Sequence, residues 1–200
     1  MPVLFIEKPA PYETIPHRLR WTRQQCDMMR DAGILTGHYE LIDGQIISKM
    51  GQKPPHAYVV RALLTWLARL FGAETVQIQS TIDLSAISPE YDEPEPDVAV
   101  SAQPYTHYVD RHPGPKDLLL LIEVSDTTLR FDLNTKASLY ARAGIREYWV
   151  VDIGGRRILV HRQPFPEGYG EVMAYSAEEE VATLARPDAP VRVSDLLPPV

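Results

Sequence analysis

Two hundred residues, 44% of them hydrophobic and carrying a formal net charge of -7, suffice for one well-filled core and predict a single domain, 1–200, with irregular ends. The acidic balance argues against an indiscriminate polyanion binder, while leaving room for a local cationic groove or bound metal ions that handle phosphates. The lone cysteine, Cys26, excludes an intramolecular disulfide; with no CxxC or paired Cys/His zinc signature, it reads as a small packed hydrophobe.

The start, MPVLFIEKPAPYETIP, lacks the basic n-region and sustained apolar run of a signal peptide, and no stretch of about 18 apolar residues offers a membrane span. A cytoplasmic location is expected. WTRQQCDMMRDAG reads as a helix, with Thr22 and Gln25 at capping-box spacing, Trp21 placed to staple its entry and Gly33 placed to close it. YELI and QIISKM flank Asp43-Gly44, a dipeptide favoured in tight hairpin turns. After Pro54-Pro55, HAYVVRALLTWLARLFG is apolar except at Arg61, Thr65 and Arg69, whose four-residue spacing makes one solvated stripe on a buried helix.

Three strands are expected next: VQIQSTIDL, which alternates; PDVAVS; and LLLLIEV, whose unbroken apolar run suits a central strand covered on both faces. LNTKASLYARA returns to helical spacing, with Asp132 as its expected cap and Gly144 as its stop, before IREYWVVD supplies another strand. RRILVHR and GEVMAYS extend the sheet, PFPEG and RPDAP read as turns, and SDLLPPV as one helical turn. The pattern is α/β: a helix, three strands, a helix and a strand, with an N-terminal helix and hairpin and added C-terminal strands.

Glu123 interrupts the greasiest strand of the chain. A buried carboxylate costs several kcal/mol unless it is paired, protonated, hydrogen-bonded or metal-bound. Asp97 starts the preceding apolar strand, behind Pro96, which favours an extended predecessor. If the two strands are neighbours, their carboxylates meet at one edge, and two hard oxygen ligands with waters suit Mg²⁺. Lys136 shares a helix face with Leu133, Ala137 and Tyr140, so its ammonium starts from apolar surroundings and can point inward. Each residue alone also has an ordinary reading: Asp97 as a strand-end acceptor, Glu123 paired with a core Arg, Lys136 snorkelling to solvent.

Taken in order, YELIDG, PPH, EPDVAV, LLIEVSD, the Asp132, Lys136 and Tyr140 series, and GIREYWVVD resemble the Uma-type family of restriction-endonuclease-like proteins, within the PD-(D/E)xK nuclease superfamily. The resemblance spans roughly Tyr39 to Arg162 and implies a restriction-endonuclease-like αβββαβ core with a mixed central sheet. It also implies Mg²⁺- or Mn²⁺-dependent hydrolysis of DNA, with Asp97 and Glu123 as metal ligands and Glu40 as an additional acidic ligand. The usual motif Lys, two positions after Glu123, is replaced by Ser125; relatives supply it from the following helix, where Lys136 matches. His56 matches too, as a phosphate contact or as a helix-start packing residue. Asp132, Tyr140, Tyr148, Trp149 and Asp152 read as cap, core and strand-end residues. A homodimer is expected from function, because two symmetric sites serve the two strands of a duplex.

Two other classes compete. Ser125 and the acidic balance also suit a non-catalytic nucleic-acid-binding or assembly protein that retains the nuclease fold, and the charged residues alone suit a structural cluster. VSDTT superficially resembles an aspartic-protease segment but lacks the following Gly and a second copy, and neither a P-loop nor HExxH is present. Arg61, Arg69, Arg156 and Arg157 read as solvated surface residues.

Overall fold

The computed structural model describes residues 19–49, 51 and 53–199. The leading segment read above for a targeting signal, and Met50 at the end of QIISKM, lie outside them. Helix α1 (Arg23–Asp31) carries the expected capping box: Thr22 accepts from the Gln25 N–H and Gln25 accepts from the Thr22 N–H. Gly33, at φ +69, donates to the Arg30 carbonyl and turns the chain away. Cys26 is fully buried.

Strands β1 (Tyr39–Ile42) and β2 (Gln45–Ser48) pair antiparallel. Both turn residues have positive φ, 50° at Asp43 and 72° at Gly44, as a tight primed turn requires. A Cβ on Gly44 would lie 2.6 Å from the Arg20 Cβ. Gly44→Ala therefore combines left-handed strain with a clash, and is expected to cost about 1–3 kcal/mol in a urea titration.

Helix α2 (Pro54–Phe71) exposes Arg61, Thr65 and Arg69 and buries Val59, Val60, Leu63 and Leu67. Gly72 ends it at φ +94. A six-stranded mixed sheet follows in spatial order β3 (Val76–Ile78), β4 (Val98–Ser101), β5 (Leu118–Ser125), β6 (Glu147–Asp152), β7 (Arg157–Phe165) and β8 (Gly168–Ser176). Only β5 and β6 run parallel, joined by a crossover made of α3 (Leu129–Phe131), a π-helical turn (Asp132–Lys136) and α4 (Ala137–Arg142). Gly144, at φ +77, follows that helix.

Side chains alternate across β5. Leu120, Ile122 and Val124 pack with Leu63, Leu67 and Trp149 on the α2 side, where Trp66 stacks on Trp149 with ring centroids 5.9 Å apart. Leu121 packs with Leu139, Tyr140 and Tyr148 on the α4 side. Helices thus cover both faces, as the unbroken apolar run of β5 requires. Strands β9 (Glu180–Thr183) and β10 (Arg186–Arg192) form a separate hairpin, and α5 (Val193–Leu196) closes the α2 side.

Three expectations need correction. VQIQSTIDL pairs only over Val76–Ile78, because Gln79 takes φ +47; Ile82 and Leu84 are buried all the same, on a backbone that bonds to Pro94 and, through Asp83, to Pro113. RPDAP is not a turn but part of β10, whose pairing with β9 shifts register between Arg186 and Val191, an irregularity that tolerates Pro187 and Pro190. In PFPEG, Pro164 and Phe165 belong to β7 and Gly168 to β8, leaving Pro166 and Glu167 as the turn. Among the described residues, no helix is long and apolar enough to cross a membrane.

Candidate active site

The β4/β5 register pairs Val98 with Ile122. Continued by one residue, it sets Asp97 opposite Glu123, with both side chains on the α4 face of the sheet. The Val124 N–H donates to Asp97 Oδ2 over 2.9 Å. His56, in the first turn of α2, places Nε2 3.1 Å from the same oxygen. Because a carboxylate only accepts, that nitrogen carries the proton, and the buried Nδ1 has no partner among the described residues. Burial pushes the Asp97 carboxyl up, but the His56 hydrogen bond and charge, Lys49 and the Val124 N–H outweigh it and hold the group below its ordinary range.

Lys136 arrives from the π-helical turn. Its Nζ lies 2.9 Å from Glu123 Oε1 and 2.9 Å from Glu40 Oε2 on β1, and all three side chains are 4% exposed. A π-helical turn rotates the chain beyond the α-helical register and recurs at functional sites; here it buries both Asp132 and Lys136. Tyr140, one helical turn further on, donates its hydroxyl to Glu123 Oε1 over 3.0 Å. Glu40 Oε2 also accepts from the Glu95 N–H, while the Glu95 carbonyl accepts from Lys49 Nζ.

Asp132 does not cap its helix, contrary to expectation: the helical chain begins earlier, at Leu129. Its carboxylate instead accepts from Ser125 Oγ and Thr128 Oγ1, and Tyr148 donates to its backbone carbonyl. Ser125, where the motif Lys would stand, is 1% exposed and engaged with Asp132. The ammonium beside Glu123 is that of Lys136.

The cleft these residues line holds about 230 Å³, between Glu40, Asp97, Glu123, Asp132 and Lys136, with Lys49, Lys53 and His56 towards its mouth. Burial pushes the Glu123 carboxyl up to about 8; Lys136 pulls it down, while Asp97, Asp132 and Glu40 add to the rise. Burial opposes the Lys136 charge as well, but Glu123, Glu40 and Asp132 outweigh it and hold the ammonium well above its ordinary range. Asp132 is raised by burial against the pull of Lys136, Ser125 and Thr128.

Among the described residues, no three Asp, Glu, His or Cys side chains form a ready-made metal cage. The donor chemistry nevertheless fits a hard ion. Four buried carboxyl groups face one buried ammonium, a surplus of hard oxygen and negative charge that a water-carrying divalent cation would offset. Of the positions singled out in the sequence, Asp97, Glu123, Lys136, Glu40 and His56 all line this cleft. Sequence reasoning missed the hydrogen bond from Tyr140 to Glu123, although its four-residue spacing from Lys136 signalled a shared face. It also missed the Asp132 clamp, for which no local pattern gave notice.

A mixed sheet with helices on both faces and carboxylates at the adjoining ends of β4 and β5 defines a restriction-endonuclease-like α/β protein. The chain belongs to the Uma2 family: the family model, described as "Putative restriction endonuclease", matches residues 35–190. A solved structure from Anabaena variabilis, described as "a putative nuclease belonging to DUF820", shares the fold with a TM-score of 0.63 at 14% identity, over 86% of this chain and 96% of that one. No curated protein matches.

Proposed function

We propose that this protein is a metal-dependent nuclease that hydrolyses DNA phosphodiester bonds, with Asp97 and Glu123 holding Mg²⁺ or Mn²⁺ and Glu40 as the further acidic ligand. The observation that carries the reading is the buried ammonium of Lys136, 2.9 Å from Glu123, which itself faces Asp97 across two paired strands. Family membership and fold support a nuclease function.

A divalent ion bound there supplies Lewis-acid polarisation of the phosphate and acidification of a bound water. The chain's own groups do the remaining work. His56 and the Val124 N–H keep Asp97 anionic and fix its orientation, and the Tyr140 hydroxyl fixes Glu123. Lys136, steadied by Glu40, orients the attacking water or stabilises charge that develops on the phosphate. His56 also lies within the cleft as a candidate phosphate contact, a role that would require a proton on Nδ1 as well, since Nε2–H is engaged with Asp97. The protein acts in the cytoplasm, and a homodimer belongs to the reading where both strands of a duplex are cut.

Ser125 supports a second reading, a non-catalytic nucleic-acid-binding or assembly protein that keeps the fold, because the usual motif ammonium is missing from β5. One pair of measurements separates them. On the first reading, Mg²⁺ or Mn²⁺ supports cleavage of single-stranded, duplex or branched DNA. It also stabilises the fold by about 3 kcal/mol at a hundredfold excess over its dissociation constant, read as a raised melting temperature. Salt-sensitive DNA binding with no cleavage and no metal effect on melting would establish the second.

A further inference from the structure

A second cleft, of about 390 Å³, opens beside the first on the β3 side of the sheet. Its volume is in the range of small-molecule sites. Gln79 lines both clefts, and its N–H donates to the Asp97 carbonyl. Glu95, which also lines the second cleft, donates its N–H to Glu40 in the first. The partition is therefore the backbone that positions the candidate metal ligands, and a chain lying across it meets both clefts.

The two clefts differ in chemistry. The first is lined by five acids, counting Asp126. The second has Glu95 as its lone acid and presents Arg111, His112, Gln77, Gln79, Tyr105 and Tyr108. Tyr105 is 62% exposed, a large ring at the rim with nothing to gain from facing water. Beside it, the Arg111 guanidinium lies 5.0 Å from the Tyr108 ring centroid and is gripped by both Asp117 oxygens at 2.6 and 3.1 Å. Gln77 and Gln79, two positions apart, each offer a donor and an acceptor. Aromatic faces with sequence-tolerant amides are the chemistry that takes a nucleobase out of water.

We propose that the second cleft binds the nucleotide next to the scissile phosphate, with its base stacked on Tyr105 and its edge hydrogen-bonded by Gln77 and Gln79. This deepens the nuclease reading and rests on it. A base inside a duplex has both faces covered by its neighbours, so the base received here is unpaired. The substrate class is then single-stranded, frayed or branched DNA rather than uninterrupted duplex.

The test uses an oligonucleotide carrying 2-aminopurine, whose fluorescence is quenched by stacking, made with nuclease-resistant phosphorothioate linkages so that Mg²⁺ can be present without the strand being cut. Quenching and tight binding are expected for wild type and Tyr105→Phe with single strands, about tenfold weaker binding for Tyr105→Ala, and weak binding of blunt duplex by all three. Equal binding by Tyr105→Ala, equal binding of single strand and duplex, or no binding by wild type overturns the proposal. Metal-dependent cleavage of the same strand made abasic beside the scissile diester, which has no base to stack, runs in parallel, and Tyr105→Ala should slow it much less than it slows cleavage of the intact strand. Tyr105-dependent quenching without hydrolysis of the abasic or the intact strand would sink the nuclease reading and leave the base site standing; hydrolysis with Tyr105-independent binding would do the reverse.

Discussion

Lys136→Met removes the ammonium while keeping most of the side-chain volume, and three changes are expected together. Cleavage slows by about 10²–10³-fold through kcat, the scale of losing one preorganised charge at the reacting phosphate. The fold loses less than the about 3–5 kcal/mol of a broken buried ion pair, because Glu123 already holds a proton below its raised pKa and only Glu40 is left buried without its partner. Mn²⁺ binds more tightly, because the resident cation that competes for the same carboxylates is gone. The third change separates the roles: a lysine that serves only the fold would weaken metal binding when lost. Lys136 bridges Glu40 and Glu123 at 2.9 Å each, so a second substitution tests the coupling. Glu40→Gln in the Lys136→Met background removes one orphaned charge and should recover part of the lost stability, a double-mutant cycle read in urea. Lys136→Arg is no conservative control, since a larger planar guanidinium with fixed donor directions replaces a compact point charge.

The parts of this arrangement differed in how far they could be read ahead of the structure. The apolar run of β5 gave a central strand, and the Arg61, Thr65 and Arg69 stripe gave the exposed face of α2, because burial periodicity is what secondary structure leaves in a sequence. Backbone pairing leaves a weaker trace. Ile82 and Leu84 continue the alternation of β3 and are buried, yet the positive φ of Gln79 has already ended the strand. The same limit applies to the crossover helix. Apolar spacing does not distinguish an α-helical from a π-helical turn, and it is from a π-helical turn that Asp132 reaches Ser125 and Lys136 reaches Glu123. Glu40 and Lys136 are far apart in sequence and meet only through the fold. Their association was legible through resemblance to a family, not through spacing.

Glu123→Gln separates the charge of the site from its shape. The amide is nearly isosteric, so a folded variant with cleavage lost by at least about 10²-fold is expected if this carboxylate holds the ion. Its pH signature is a second test. With its pKa pushed up to about 8 in the folded chain, against an ordinary value near 4.3 unfolded, the native state holds a proton that the unfolded chain has released. Stability without metal should therefore fall as pH rises through that window, with a slope of up to about 1.4 kcal/mol per pH unit. Asp132, also raised by burial, adds to the same slope. Asp97 is lowered, so its contribution is gained above the ordinary Asp range and lies on the acid side of the window. Lys136 is raised, so its contribution is lost only in strong alkali. The Gln variant should keep the Asp132 part of the slope and lose the rest. A metal ion reverses the balance, because it binds the carboxylate and must displace the proton. Mn²⁺ affinity should climb up to about tenfold per pH unit and level off near about pH 8, with calorimetry in buffers of different ionisation enthalpy showing the released proton. If proton release and pH dependence persist unchanged in Glu123→Gln, the displaced proton belongs to another group, and Glu123 loses its place as a metal ligand.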